Sequence, residues 1–163
     1  MPLKPLRTKE RSEKIKSNPK QAYQFADFII KGRWPDAEPA IMKSPSWAFY
    51  YAKNIIKARW PEAEPYILKD AAWALYYAMH IIQDRWPKAE PLIMKNPSQA
   101  YHYAKHILKR QWPEAEPYIR KGPESAYLYA RYVIKGRWPE AEQDIKKDKS
   151  YWILYAKFFN LNY

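Results

Sequence analysis

Arg59-Trp60-Pro61-Glu62-Ala63-Glu64 recurs along this chain at a fixed interval. It returns as Arg33-Trp34-Pro35-Asp36-Ala37-Glu38, Arg85-Trp86-Pro87-Lys88-Ala89-Glu90, Gln111-Trp112-Pro113-Glu114-Ala115-Glu116 and Arg137-Trp138-Pro139-Glu140-Ala141-Glu142. The tryptophans at 34, 60, 86, 112 and 138 are each 26 residues apart. A constant period of roughly 20–50 residues is the mark of a repeat architecture, in which one supersecondary unit buries its apolar face against the next.

Working outward from that stretch, each repeat reads as two helices. The first opens at a capping residue, often before a proline: Asn18-Pro19, Ser44-Pro45, Asp70-Ala71, Asn96-Pro97 and Gly122-Pro123. A capping side chain accepts a free backbone N–H, and proline loses nothing at the first helical position. In the second repeat this helix is expected over about fourteen residues from Ser44, with Ala48, Ala52, Ile55 and Arg59 on one face and Tyr51 and Ile56 widening it. The alanine pair returns as Ala22/Ala26 and Ala126/Ala130, and small residues four apart let a neighbouring helix come close. Trp60-Pro61 is expected to end the first helix, because the residue before a proline leaves the α region. A second helix is expected from Pro61 to Lys69, kinked at Pro65. The class expected is all-α: a right-handed α-solenoid of five 26-residue helix–turn–helix repeats over residues 18–147. Residues 1–17 precede it as a basic arm or partial capping repeat, and 148–163 follow as a capping helix.

Composition bounds the function. The chain has 163 residues, 15 prolines, 3 glycines and no cysteine, which excludes disulfides and thiolate chemistry. The N-terminus lacks an apolar signal core and no apolar run reaches a membrane span, so a soluble cytoplasmic protein is expected. Net charge is +12, which suggests an anionic partner. The charge is uneven: residues 1–17 hold six basic against two acidic side chains, while Asp70 to Lys95 sums to zero. The arm reads as a frayed cap or as a cationic grip on phosphate.

Catalytic signals are missing. There is no Gly-rich phosphate loop and no nucleophile paired with a base. The glutamates at 38, 64, 90, 116 and 142 suit ion pairs with Arg33, Arg59, Arg85 and Arg137 better than acid–base work, since equally spaced copies do not converge on one site. The tryptophans suit a buried corner, with base stacking as the other use. His102 and His106 stand four apart, but no third metal ligand is evident. No enzyme, cofactor or metal is expected.

What varies between repeats is one stripe of the first helix: Gln24, Tyr50, Tyr76, His102 and Leu128. Beside it run Asp27, Lys53, Met79, Lys105 and Arg131, then Phe28, Asn54, His80, His106 and Tyr132, and below these Lys31, Lys57, Gln83, Lys109 and Lys135. A helical wheel places them all opposite the alanine face. The stripe is expected either to be an ordinary solvated face or to bind a protein of acidic or mixed surface through Tyr50, Lys53, Tyr76, His80, His102, Lys105, His106, Arg131 and Tyr132. The alternative is anion binding, as to nucleic acid, with Lys31, Lys57, Lys109 and Lys135 contributing. Nothing in the sequence fixes an oligomeric state.

The units, close to Trp-Ala-Tyr-Tyr-Ala-Lys-x-Ile-Ile-Lys-Gly-Arg-Trp-Pro-Glu-Ala-Glu-Pro-Tyr-Ile-x-Lys, resemble the tandem RWPEAE-type repeats of proteins encoded by tailed bacteriophages. That resemblance covers Asn18 to about Ala156 and brings no catalytic or ligand residues with it. It implies a phage accessory or counter-defence protein in a bacterial cytoplasm, acting on a host protein. Gln83, Lys88 and Gln111 depart from the pattern and point to a specialised central surface.

Overall fold

A computed structural model describes residues 5–162, with side chains from residue 10 onward. Lys4 and the side chains of Arg7 and Lys9 in the expected basic arm lie outside the described residues. Twelve α-helices and no strand occur among the described residues. They are α1 (Pro5–Ser17), α2 (Pro19–Phe25), α3 (Glu38–Ile41), α4 (Pro45–Tyr51), α5 (Glu64–Ile67), α6 (Ala71–Tyr77), α7 (Glu90–Ile93), α8 (Pro97–Tyr103), α9 (Glu116–Ile119), α10 (Pro123–Tyr129), α11 (Pro139–Ile145) and α12 (Lys149–Phe158). Seven-residue and four-residue helices alternate from α2 to α10, and α11 breaks the pattern with seven. Two compact units divide the chain, Met1–Ile82 and Gln83–Tyr163. In the first, α1 packs on α2 and α3, α2 on α4, and α4 on α6. In the second, α8 packs on α10 and α10 on α12.

The caps form largely where the sequence places them. Asn18 accepts from Gln21 N–H at 3.0 Å, Asn96 from Gln99 at 3.1 Å and Asp70 from Ala72 at 2.9 Å. Ser44 departs from the expectation: its hydroxyl meets Ser46 Oγ at 3.1 Å and caps no backbone N–H.

The first helix does not end at Trp60-Pro61. After α4 the backbone widens into a π-helical turn, Ala52–Ile56, and Lys57 closes it in the left-handed region at φ 58°. The Lys57 N–H reaches back five residues to the Ala52 carbonyl at 2.7 Å. The same turn follows α2, α6, α8 and α10, capped by Lys31, Gln83, Lys109 and Lys135 with φ between 53° and 60°. A residue with a Cβ is strained there, and glycine is the usual occupant. The widened turn rotates the chain relative to an even helix. Ile55 is therefore only half-buried and Arg59 is exposed, so the core stripe is Ala48, Phe49, Tyr51 and Ala52.

The second helix is also shorter than expected. α5 begins at Glu64, so Pro65 lies in its first turn and causes no kink. Pro61 to Ala63 form a tight turn instead. Proline at 39, 65, 91 and 117 has no N–H to donate to the carbonyl four residues back, and its ring crowds that carbonyl. The last repeat supplies the control: Gln143 stands in place of proline, and α11 runs unbroken from Pro139 to Ile145.

The corner between the helices is held by one recurring network. Trp60, Trp86, Trp112 and Trp138 are buried, as are Ala63, Ala89, Ala115 and Ala141 beside them. The Trp34 N–H donates to the Tyr51 hydroxyl of the next repeat at 2.6 Å. Trp60 donates likewise to Tyr77, Trp86 to Tyr103, Trp112 to Tyr129 and Trp138 to Tyr155, at 2.6–2.7 Å. These N–H groups have left the helical ladder, so without the hydroxyl they would be buried and unpaired. Each hydroxyl then donates to the glutamate of the preceding corner: Tyr51 to Glu38 at 3.0 Å, and Tyr103 to Glu90, Tyr129 to Glu116 and Tyr155 to Glu142 at 3.1 Å. An arginine locks the carboxylate from the other side. Arg85 Nε and Nη2 hold the two oxygens of Glu90 at 2.6 and 2.9 Å, and Arg33 and Arg59 do the same for Glu38 and Glu64. Such two-pronged pairs are stronger than neutral hydrogen bonds and fix the carboxylate's orientation. Burial first, with the glutamate adding to it, pushes the Tyr51 and Tyr77 hydroxyls up to about 12. Phe25 is the exception that fits: residue 8, 17 places before it, lies within α1 and not at a Trp-Pro corner.

Candidate interaction surface

In the N-terminal unit the exposed face of α2, α4 and α6 is a continuous patch of rings. Trp47 and Trp73 occupy the first turns of α4 and α6, and one turn later come Tyr50 and Tyr76. Tyr23 stacks on Trp47 at 5.3 Å, Tyr50 meets Trp73 edge-on at 5.6 Å, and Trp73 meets Tyr76 at 5.6 Å. Tyr76 stacks on His80 at 6.2 Å. Phe49, buried beneath them, supports Tyr50, Tyr76 and His80. Tyr50 is 37% exposed and Tyr76 45%. Lys53 lies 5.7 Å over the Phe49 ring, and Asn54 donates to the Tyr23 hydroxyl at 2.8 Å.

In the C-terminal unit the equivalent face is a ladder of cations and rings. Lys105 Nζ sits 4.2 Å over Tyr132 and bonds the Tyr101 hydroxyl at 3.1 Å. Arg131 lies 4.9 Å over Tyr132 and 4.6 Å over Phe158, and bonds the Tyr127 hydroxyl at 2.7 Å. His102 and His106 stack at 5.7 Å. Burial holds both imidazoles below their usual range, with Lys105 and, for His102, its partner histidine adding to the effect. Both surroundings favour the neutral imidazole. Among the described residues no three His, Cys, Asp or Glu side chains converge as a metal site.

Tyr50, Lys53, Tyr76, His80, His106 and Tyr132 are exposed, whereas His102, Lys105 and Arg131 are half-buried. The lysine row corrects the helical wheel. Lys31, Lys57, Lys109 and Lys135 occupy the left-handed caps beyond the helix, because the π turn has already ended the spiral. Lys31 and Lys57 border a cleft of about 350 Å³ that also contains Asp27. Sequence reasoning missed Trp47, Trp73, Tyr101 and Tyr127. The available signal was variation: residues 21, 47, 73, 99, 125 and 151 read Gln, Trp, Trp, Gln, Ser and Tyr.

Among the described residues no helix is long and apolar enough to cross a membrane. Compared with protein-family models, with curated proteins and with solved structures, the chain matches none.

Proposed function

We propose that this chain is a non-enzymatic helical-repeat binding module that holds a protein partner through its exposed aromatic and basic face. The observation that carries the reading is the ring patch of Trp47, Tyr50, Trp73, Tyr76 and His80, whose rim is solvent-exposed although the core is complete without it. Tyrosine and tryptophan anchored on rigid helices lose little entropy on binding and dominate interface energies. In this reading each unit is a run of a right-handed α-solenoid, and the five 26-residue repeats present variable side chains on a constant frame. The resemblance of the repeats to phage-encoded ones supplies the setting, a bacterial cytoplasm with a host protein as partner.

Nucleic-acid binding is the second reading, favoured by the net charge of +12. It needs cations free to meet phosphate. Lys105 and Arg131 are engaged with tyrosines, and Lys31 and Lys57 share their cleft with a carboxylate, so the protein reading is preferred.

The test is capture from nuclease-treated bacterial lysate at about 0.15 M salt, where exposed charges are screened beyond ~8 Å. A discrete protein retained by the wild type and lost by Tyr50→Ala/Tyr76→Ala supports the proposal. Recovery of nucleic acid alone, falling steeply with salt and unaffected by that double variant, overturns it.

A further inference from the structure

Four corners carry an arginine five residues before their glutamate; the fourth repeat has Gln111 there instead. The consequence is local and specific. Glu116 is only half-buried, and its carboxylate has one protein partner among the described residues, the Tyr129 hydroxyl on Oε1 at 3.1 Å. Its second oxygen, the one that Arg33, Arg59 and Arg85 grip with Nη2 in their own corners, has no hydrogen-bond donor among the described residues. At two corners the arginine seat also lies near a second acid. Arg33 feels the charge of Glu62, 29 residues on, and Arg85 that of Glu114 at the same spacing, while Arg59 has Lys88 at that spacing. The matching residue for position 111 is Glu140. Gln111, Glu116 and Glu140 line one open cleft of about 530 Å³, walled by Pro113 and Trp138. The two arginines in that cleft are already committed: Arg120 to Asp144 at 3.1 Å and Arg137 to Glu142 at 2.8 Å.

We infer that this cleft is a guanidinium-binding site, taking from outside the group that the other corners supply from within. The fold sets a guanidinium against the glutamate at four corners, as a two-oxygen fork at Arg33, Arg59 and Arg85, and at Arg33 and Arg85 a second carboxylate adds its charge. The Gln111 amide oxygen offers a further acceptor. A planar two-pronged donor is distinguished from an ammonium by this arrangement, since lysine is a point charge without the fork. The guanidinium could belong to an arginine of a partner protein or to a small guanidine.

The experiment is an NMR titration of the full ¹⁵N-labelled chain with methylguanidinium chloride, with the peptide acetyl-Gly-Arg-Gly-amide, and with tetramethylammonium chloride as an ionic control. The expected result is saturable shifts around residues 111–120 and 138–140 for both guanidinium probes. Gln111→Arg, which restores the internal pair and so keeps the fold, should abolish them. Glu140→Ala, an exposed change, should weaken them by about threefold to tenfold, the effect expected for one outer ionic contact of about 0.7–1.4 kcal/mol. Peptide binding at least tenfold tighter than methylguanidinium assigns the site to a partner's arginine, and equal affinity to a small guanidine. Non-saturating shifts, shifts matched by tetramethylammonium, or saturable binding that persists in Gln111→Arg would overturn the inference.

Discussion

At the corners Arg59, Glu64 and Tyr77 of the N-terminal unit return as Arg85, Glu90 and Tyr103 of the C-terminal unit, whereas on the outward face Tyr50 and Tyr76 give way to His102 and Leu128. Where the arginine is kept, the carboxylate, hydroxyl and backbone N–H of the corner each have a designated partner, so a change at one residue strands two others. The face touches the core only through its undersides, and its residues change while the helices beneath keep their places. Constancy here follows hydrogen-bond satisfaction, and variation follows freedom from it. That division separates the residues that make the fold from those available to recognise something.

The largest expected effect is at the corner. Tyr103→Phe removes the hydroxyl that accepts from Trp86 and donates to Glu90, leaving a buried N–H unpaired. A loss of about 1–3 kcal/mol is expected by urea unfolding, the usual cost of an orphaned buried group. A loss below about 0.5 kcal/mol would erase the distinction between corner and face.

Alkali should attack the same network. The Tyr51 and Tyr77 hydroxyls are held near 12, above their ordinary 10, so the fold favours their neutral form. Their stabilisation is complete below pH 10 and declines as the pH rises from 10 towards 12. Melting temperature should fall across that window, and Tyr51→Phe/Tyr77→Phe should fall less steeply from its lower starting point. Acid acts in the opposite sense on Glu90, whose carboxyl is held below its usual range first by Arg85. That contribution is present above the ordinary carboxyl pKa and is lost as the pH falls below it.

The left-handed caps give a smaller effect of opposite sign. Lys57→Gly relieves a Cβ at φ 58°. About 1–2 kcal/mol of strain is removed, partly offset by glycine's greater freedom when unfolded, for a net gain of roughly 0.5–1 kcal/mol. A loss of stability would mean that the lysine side chain, and not its backbone, matters at the cap. Pro65→Gln should extend α5 back towards Pro61, as Gln143 does for α11, visible as helical carbon shifts at residues 62–64.

Much of this was legible in the sequence. The 26-residue spacing, the caps at Asn18, Asp70 and Asn96, the buried tryptophans and the Arg–Glu pairs all follow from residue type and interval. The π turns were not legible. Gly32 and Gly136 sit one place beyond the left-handed residue, so the glycine signal points to the wrong position and Lys57 gives none. The tyrosine hydroxyl was hidden for another reason: an apolar stripe treats Tyr51 as a ring, and its partners lie 13 and 17 residues away. Phe25 against five tyrosines was the available clue. On the face, the outward side chains followed the wheel up to the π turn and departed from it at Lys31, Lys57, Lys109 and Lys135.

The most direct measurement pairs stability with capture in one variant, Tyr50→Ala/Tyr76→Ala. Both residues are surface-exposed, so the chain should unfold within about 1 kcal/mol of the wild type. It should also lose the nuclease-resistant protein partner that Tyr103→Phe, assayed well below its melting temperature, still captures. Full capture by Tyr50→Ala/Tyr76→Ala, or collapse of its stability, would contradict the assignment of recognition to the face and folding to the corner.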